Sequence, residues 1–302
     1  MKNETKGIVL AILAAIVSGI SIPANKYFIV NLDPTVFTAV RAVIIGLVFL
    51  VISLYQSTAN KTSFKKVPWK YLLVIAVVGG AFAFLLYFNG LALTTAVSGA
   101  FLQKTLPLFT AILAFVFLKE KINRKMAYAL VIMFVGMVLV YITQIQPTQL
   151  WSNPSLGDLL IIAATILWAI EAVIAKKAMI IGETNFVISF ARMFFGGLIL
   201  FGFVILFGKF GILLTLSLQQ WINILISTVL LLLYVLFWYW SMKYINVSKA
   251  TAFLLIAPII SLVGGVLLLG EPAPLLQLVG SAVILIGGYF LVGVKSEFRE
   301  KL

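Results

Sequence analysis

The chain has 302 residues, of which 63% are hydrophobic and 10% charged, with a formal net charge of +13 and neither cysteine nor histidine. A water-soluble domain of this length needs far more polar surface, so a soluble enzyme or binding module is excluded. The missing residue types remove disulfides, thiolate chemistry, the commonest general base and the commonest metal ligand, so no metal, cofactor or catalytic residue is expected.

A helix that crosses a bilayer needs about 20 predominantly apolar residues. In chain order such stretches fall at 7–30, 35–55, 71–93, 97–118, 126–143, 158–181, 185–207, 221–242, 248–269 and 274–294. Little chain remains for a soluble domain. The first run follows Lys2 and Lys6, as in a signal peptide. It exceeds the roughly 7–15 apolar residues of a cleaved signal and continues past Pro23, so it reads as a retained first helix. The connections at 31–34 and 94–96 are so short that the helices they join must be antiparallel neighbours.

Basic residues set the orientation. Lys61, Lys65, Lys66 and Lys70 lie between the second and third spans, Lys119, Lys121, Arg124 and Lys125 between the fourth and fifth, and Lys295, Arg299 and Lys301 after the tenth. All fall on the side of Lys2 and Lys6. On the other side, the 144–157 connection has no lysine or arginine, and the connection after the seventh span has only Lys209. Both termini are therefore expected in the cytoplasm. The positive charge reflects this topology and not a nucleic-acid partner.

The sequence repeats itself at an offset of 151 residues without a gap. Lys26 meets Lys177, Arg41 meets Arg192, Gly46 meets Gly197, Pro107 meets Pro258, Glu120 meets Glu271 and Gly136 meets Gly287. Rare residues in an apolar background seldom share one register by accident. Each copy holds five spans, an odd number, so the second enters the membrane inverted. The expected fold is an all-α membrane protein of ten transmembrane helices in two inverted five-helix repeats, 7–143 and 158–294. Inverted repeats are a recurrent plan of secondary transporters, with substrate near the midplane between the repeats.

The same residues carry a family resemblance. Pro23-Ala24-Asn25-Lys26 closes the first span and Arg41 opens the second; Ala96-Val97-Ser98-Gly99-Ala100, Pro107 and Leu118-Lys119-Glu120 mark the fourth. The second half has Trp168 before Lys176-Lys177, then Arg192, Ala250, Pro258 and Leu269-Gly270-Glu271. In this pattern the chain resembles the drug/metabolite transporter superfamily, and within it the EamA-type proteins, over about 7–294. It departs at Val17, which stands where the first copy often has a tryptophan. The resemblance implies transport, often export, of amino acids, related metabolites or drugs from a prokaryotic plasma membrane.

Several side chains are candidates for the substrate site. Glu171 is the one acid well inside a span, and an intramembrane charge ordinarily faces the bundle interior. It shares a helical face with Trp168 and the small residues Ala164, Ala175 and Ala178. Ser18, Ser21 and Asn25 form a polar stripe on the first helix, and Gln103 and Lys104 lie within the fourth. Tyr87, Tyr234 and Trp238 are aromatic candidates for the same wall, their alternative being ordinary packing, while Trp69 and Trp240 suit the interfacial belt. Glu171 and Lys104 are expected to meet, as a clamp for a zwitterion or as a structural ion pair. Pro107 and Pro258 are hinges or static kinks. Arg41 and Arg192, about two turns inside their helices, read as a structural pair bonded to helix ends. Lys26, Lys177, Glu120 and Glu271 read as snorkelling residues. The glycine pairs 79–80, 196–197, 264–265 and 287–288 read as close helix packing.

The resulting expectation is a secondary transporter whose partners are a small-molecule substrate and the lipid bilayer, with its oligomeric state, a monomer included, left open by the sequence. The runner-up is a carrier of nucleotide sugars or other phosphorylated metabolites, served by Lys104 with Arg41 and Arg192. A membrane-embedded enzyme is disfavoured by the single buried acid, a receptor or scaffold by the repeat. No phosphate-binding glycine loop is present to power transport by hydrolysis.

The cysteine-free chain permits a direct topology test. A cysteine at Ser63 should react with an impermeant thiol reagent only from the cytoplasm, and one at Thr148 only from outside. Labelling of both from one side would overturn the inverted arrangement.

Overall fold

The computed structural model describes residues 2–28, 32–59, 68–143, 145, 154–269 and 272–296. The expectations placed on Ser63, Thr148, Lys61, Lys65, Lys66, Glu271, Arg299 and Lys301 lie outside them, as do those on the side chains of Pro23 and Lys26. Ten apolar helices long enough to cross a membrane are present: α1 (Lys2–Phe28), α2 (Pro34–Ala59), α3 (Trp69–Ala92), α4 (Val97–Leu118), α5 (Arg124–Tyr141), α6 (Leu156–Ile180), α7 (Asn185–Leu206), α8 (Leu218–Tyr244), α9 (Val247–Leu267) and α10 (Leu275–Val292). No strand occurs among the described residues.

Local chemistry starts and stops these helices. The side chains of Thr95, Asn123 and Thr184 accept the first free N–H groups of α4, α5 and α7. Ser155 with Asp158, and Ser217 with Gln220, form reciprocal capping boxes on α6 and α8. At the end of α4, Lys119 turns the chain with φ 52°.

Helix packing obeys the two-fold relation of the repeats. α1 packs on α8 and α9 as α6 packs on α3 and α4, while the α2–α7 and α5–α10 contacts map onto themselves. Glycines set the closest approaches. A Cβ on Gly196 would fall 2.6 Å from the α-carbon of Gly80, one on Gly46 2.5 Å from that of Phe194, and one on Gly136 2.7 Å from the Gly280 carbonyl oxygen. α3 and α7 cross where each widens into a π-helical segment, Ile75–Phe82 and Ala191–Phe195. Two glycines depart from the packing expectation: among the described residues, a Cβ on Gly264 would meet no atom of another element within 4 Å, and one on Gly288 only the end of Met133 at 3.9 Å.

The end of the bundle that carries both termini is closed by buried polar groups. Glu120 accepts from the N–H groups of Val247 (2.9 Å) and Ser248 (3.2 Å) and from the Ser248 hydroxyl (2.6 Å), and so caps α9. Lys176 donates to the carbonyls of Met242 and Ile245 at the end of α8. Lys249 donates to the Val294 carbonyl and pairs with Glu4 at 3.1 Å. Glu120 is therefore not a snorkelling residue: backbone donors hold its carboxylate inside the protein. Beside this cluster Lys6 lies over the Trp240 ring at 4.9 Å.

At the opposite end, Lys209 pairs with Asp33 at 2.8 Å. Partial burial alone would raise the Asp33 carboxyl, but Lys209 and the N–H groups of Val36 and Thr35 outweigh it and hold it below the usual carboxylate range. A carboxyl depressed in the fold adds stability above its unfolded pKa and loses it as pH falls through the folded value. Solvent screening keeps that contribution small.

The glycine crossing yields a stability test. A Cβ on Gly80 would collide with the backbone carbonyl of Arg192, which has no room to yield. Gly80→Ala should cost about 1–3 kcal/mol, read as a lower melting temperature of the purified protein in detergent. Gly264→Ala, where space is open, should melt at or slightly above the native temperature.

Candidate functional site

One cavity of about 330 Å³ lies among the helices. All nine side chains expected from the sequence to face substrate line it: Ser21 and Asn25 of α1, Tyr87 of α3, Gln103 and Lys104 of α4, Trp168 and Glu171 of α6, and Tyr234 and Trp238 of α8. Pro107 lines it too; Pro258 does not. Residues related by the 151-residue offset both line it: Ser21 and Ala172, Arg41 and Arg192, Tyr87 and Trp238, Gln103 and Leu254, Lys104 and Leu255. The cavity thus straddles the axis that relates the repeats.

Its depth follows from which turns line it. On α1 the lining begins at Ser18 and ends at Asn25, on α3 it reaches Leu91, and on α4 it starts at Ala100. These turns lie toward the end away from both termini. The cavity therefore runs from the middle of the bundle toward that end, and the Glu120, Lys176 and Lys249 cluster lies beyond its floor.

Two broken helices shape the wall. α4 leaves helical geometry at Lys104 and Thr105, and a new helix starts at Leu106 with Pro107 in its first turn. α9 tightens into a 3₁₀ turn at Leu254–Ile256 before the helix that contains Pro258. Each proline thus sits where its missing N–H costs least, at the start of a helical segment. The breaks expose Lys104 and Leu255 to the cavity at equivalent depths.

Glu171 (1% exposed) is held at the floor by α7 and α8. The Tyr239 hydroxyl donates to one carboxylate oxygen, and Arg192 lies 3.9 Å from the other. Arg192 also donates to the Tyr239 hydroxyl at 3.3 Å. Gly79 gives the carboxylate its room, since a Cβ there would overlap the Glu171 side chain. The Gly79 carbonyl accepts from the Trp168 indole N–H at 3.2 Å. The ring of Trp168 stands 5.2 Å from Tyr87, and Tyr234 lies parallel to Trp238 at 6.4 Å.

Two sequence expectations require correction. Glu171 and Lys104 do not meet: Lys104 donates to Ser18 at 3.3 Å, and Glu171 is taken by Tyr239 and Arg192. The arginines do not bond helix ends. Arg41 donates to the Ser227 hydroxyl at 2.7 Å and lies 3.9 Å over the Phe37 ring, while Arg192 turns to Glu171. Both line the cavity, a position the sequence reading gave them only in its runner-up, the carrier of phosphorylated metabolites. Tyr239 was missed, because one tyrosine in an aromatic helix carries no local mark.

With this geometry in place, comparison with known proteins is informative. The EamA-like transporter family matches residues 5–142 and again 155–293. An uncharacterized transporter of Bacillus subtilis, YyaM, is 26% identical over 282 residues, which cover 93% of this chain and 91% of that protein. An uncharacterized transporter of Archaeoglobus fulgidus is 26% identical over 298 residues, 95% of this chain and 98% of its own. A protein of known crystal structure superposes with a TM-score of 0.76 at 16% identity over 95% of this chain and 97% of its own, a likeness of fold alone.

The triad predicts a coupled loss of stability. Glu171→Gln strands Arg192 without its counter-charge in a buried site, a change that costs about 3–5 kcal/mol where one partner of a buried pair is removed. Adding Arg192→Gln should recover part of that loss in thermal melts. Strict additivity of the two changes would refute the pairing.

Proposed function

We propose that this chain, which belongs to the EamA-like transporter family, is a secondary transporter that exports amino acids or related small metabolites by alternating access between its two inverted repeats. The observation that carries this reading is the cavity lined by offset-related residues of both repeats. A central site shared by two oppositely oriented halves is what exchange of their conformations would expose to each side in turn. We assign the repeats to 7–143 and 158–294 and the substrate to the aromatic and polar wall described above. We assign both termini to the cytoplasm, so that the cavity lies in the outer half of the membrane and the buried polar cluster on its inner side. The bacterial and archaeal relatives support a prokaryotic plasma membrane.

A cavity of about 330 Å³ lies at the small end of the usual 300–1,000 Å³ for ligand sites. That size favours an amino-acid-sized molecule over a nucleotide sugar. A membrane-embedded enzyme would need a second free acid or a metal-ligating group beside the cavity, and Glu171 is the one lining acid, already paired.

Counterflow in proteoliposomes with a panel of amino acids, organic acids, nucleosides and organic cations tests the reading; no exchange of any class would overturn it. Within that assay Pro107→Ala and Pro258→Ala should each slow transport while leaving substrate affinity within a few-fold, because both act on the breaks in α4 and α9. Unchanged rates in both would make the prolines static kinks.

A further inference from the structure

Resting on the transporter reading but narrowing its substrates from amino acids to the related small metabolites, we propose that the cavity selects a net-anionic substrate, a small organic acid with no free ammonium group, and that Lys104 and Arg41 recognise its negative charge.

The ionisable side chains on the wall do not balance. Arg41, Lys104 and Arg192 are cationic, and Glu171 alone is acidic. Glu171, Arg192 and Tyr239 close on one another, so the carboxylate's charge is already compensated inside the protein before a substrate ammonium could meet it. Lys104 and Arg41 remain. Lys104 is 5% exposed and gives one of its three N–H donors to the neutral hydroxyl of Ser18. Arg41 is 3% exposed; it donates to Ser227, whose hydroxyl in turn donates to Asn25, and its Nε is buried with no partner. Neither cation has an acid within ion-pair distance among the described residues.

Two buried cations without a counter-charge are costly, and a bound anion removes that cost. A cationic substrate would add to it, and a zwitterion would leave its ammonium unpaired. Lys104 is anchored to α1 at Ser18 and Arg41 to α8 at Ser227, so the two cations are held by different helices and offer a substrate two separate points of contact. On the same wall the aromatic pairs Tyr87 with Trp168 and Tyr234 with Trp238 suit a flat or apolar body.

Matched molecules separate charge from shape. Binding of 3-phenylpropionate, phenylalanine and 2-phenylethylamine, and of butyrate, 2-aminobutyrate and butylamine, would be followed on the purified protein by thermal stabilisation and by tryptophan fluorescence, since Trp168 and Trp238 line the cavity. In at least one series the acid should bind more tightly than its zwitterion and its amine. Lys104→Gln should weaken that acid by at least about tenfold, and Lys104→Arg should retain it. The inference is overturned if in both series a zwitterion or amine binds as well as its matched acid, if no acid binds, or if Lys104→Gln leaves acid affinity unchanged. In proteoliposomes, transport confined to zwitterions or amines would overturn the anion assignment and leave the transporter reading standing. Acid binding without exchange of any class would do the reverse.

Discussion

Within a bilayer no water is present to satisfy a helix end or an interrupted turn, so the protein must supply every partner itself. That constraint organises this molecule. Several of its spans are joined by connections too short to cushion their ends, and two spans are broken midway, in α4 at Lys104 and in α9 at Leu254–Ile256. The free N–H groups of α9 find the carboxylate of Glu120, and the last carbonyls of α8 find Lys176. These side chains come from α4 and α6, so each cap also fastens one helix to another. Polar groups that look scattered along the chain are thereby gathered at helix ends, leaving the cavity with charges that serve no backbone group.

The floor of that cavity shows the same economy in a different form. Burying a carboxylate requires a cation and a hydrogen-bond donor, and these come from α7 and α8. Space for the group comes from α3, where Gly79 lies in a π-helical segment. Four helices therefore meet on one side chain, and the aromatic wall above it is held by the Trp168 bond to the same glycine's carbonyl.

The sequence was most legible where it repeats a physical demand. Ten apolar runs and a gap-free offset of lysine, arginine, proline and glutamate are enough for the spans and the inverted architecture. The cavity residues were legible for a related reason: Glu171, Lys104 and Asn25 are too polar for a lipid face and had to turn inward. Their partners were not legible. Whether Glu171 meets Lys104 or Arg192 depends on how α4, α6 and α7 rotate against one another, and that rotation is set by close contacts at Gly79, Gly80 and Gly196. Helical spacing places a residue on a face; it does not say which distant helix will cover that face. Glu120 looked peripheral because it follows the last apolar residue of its span, and only the approach of α9 shows why it is buried.

The offset that relates the repeats relates their backbones more faithfully than their chemistry. Arg192 has a counterpart in Arg41, but Glu171 answers to Ile20, Tyr239 to Phe88 and Lys104 to Leu255. Under the proposed alternating access, a chain with two identical halves would populate its two exchanged conformations equally, because neither could be told from the other. Each mismatch between the halves lifts that degeneracy. The resting bias of the carrier is thus written in the positions where duplication has been lost, and substitutions that restore identity between the halves should draw the two populations together.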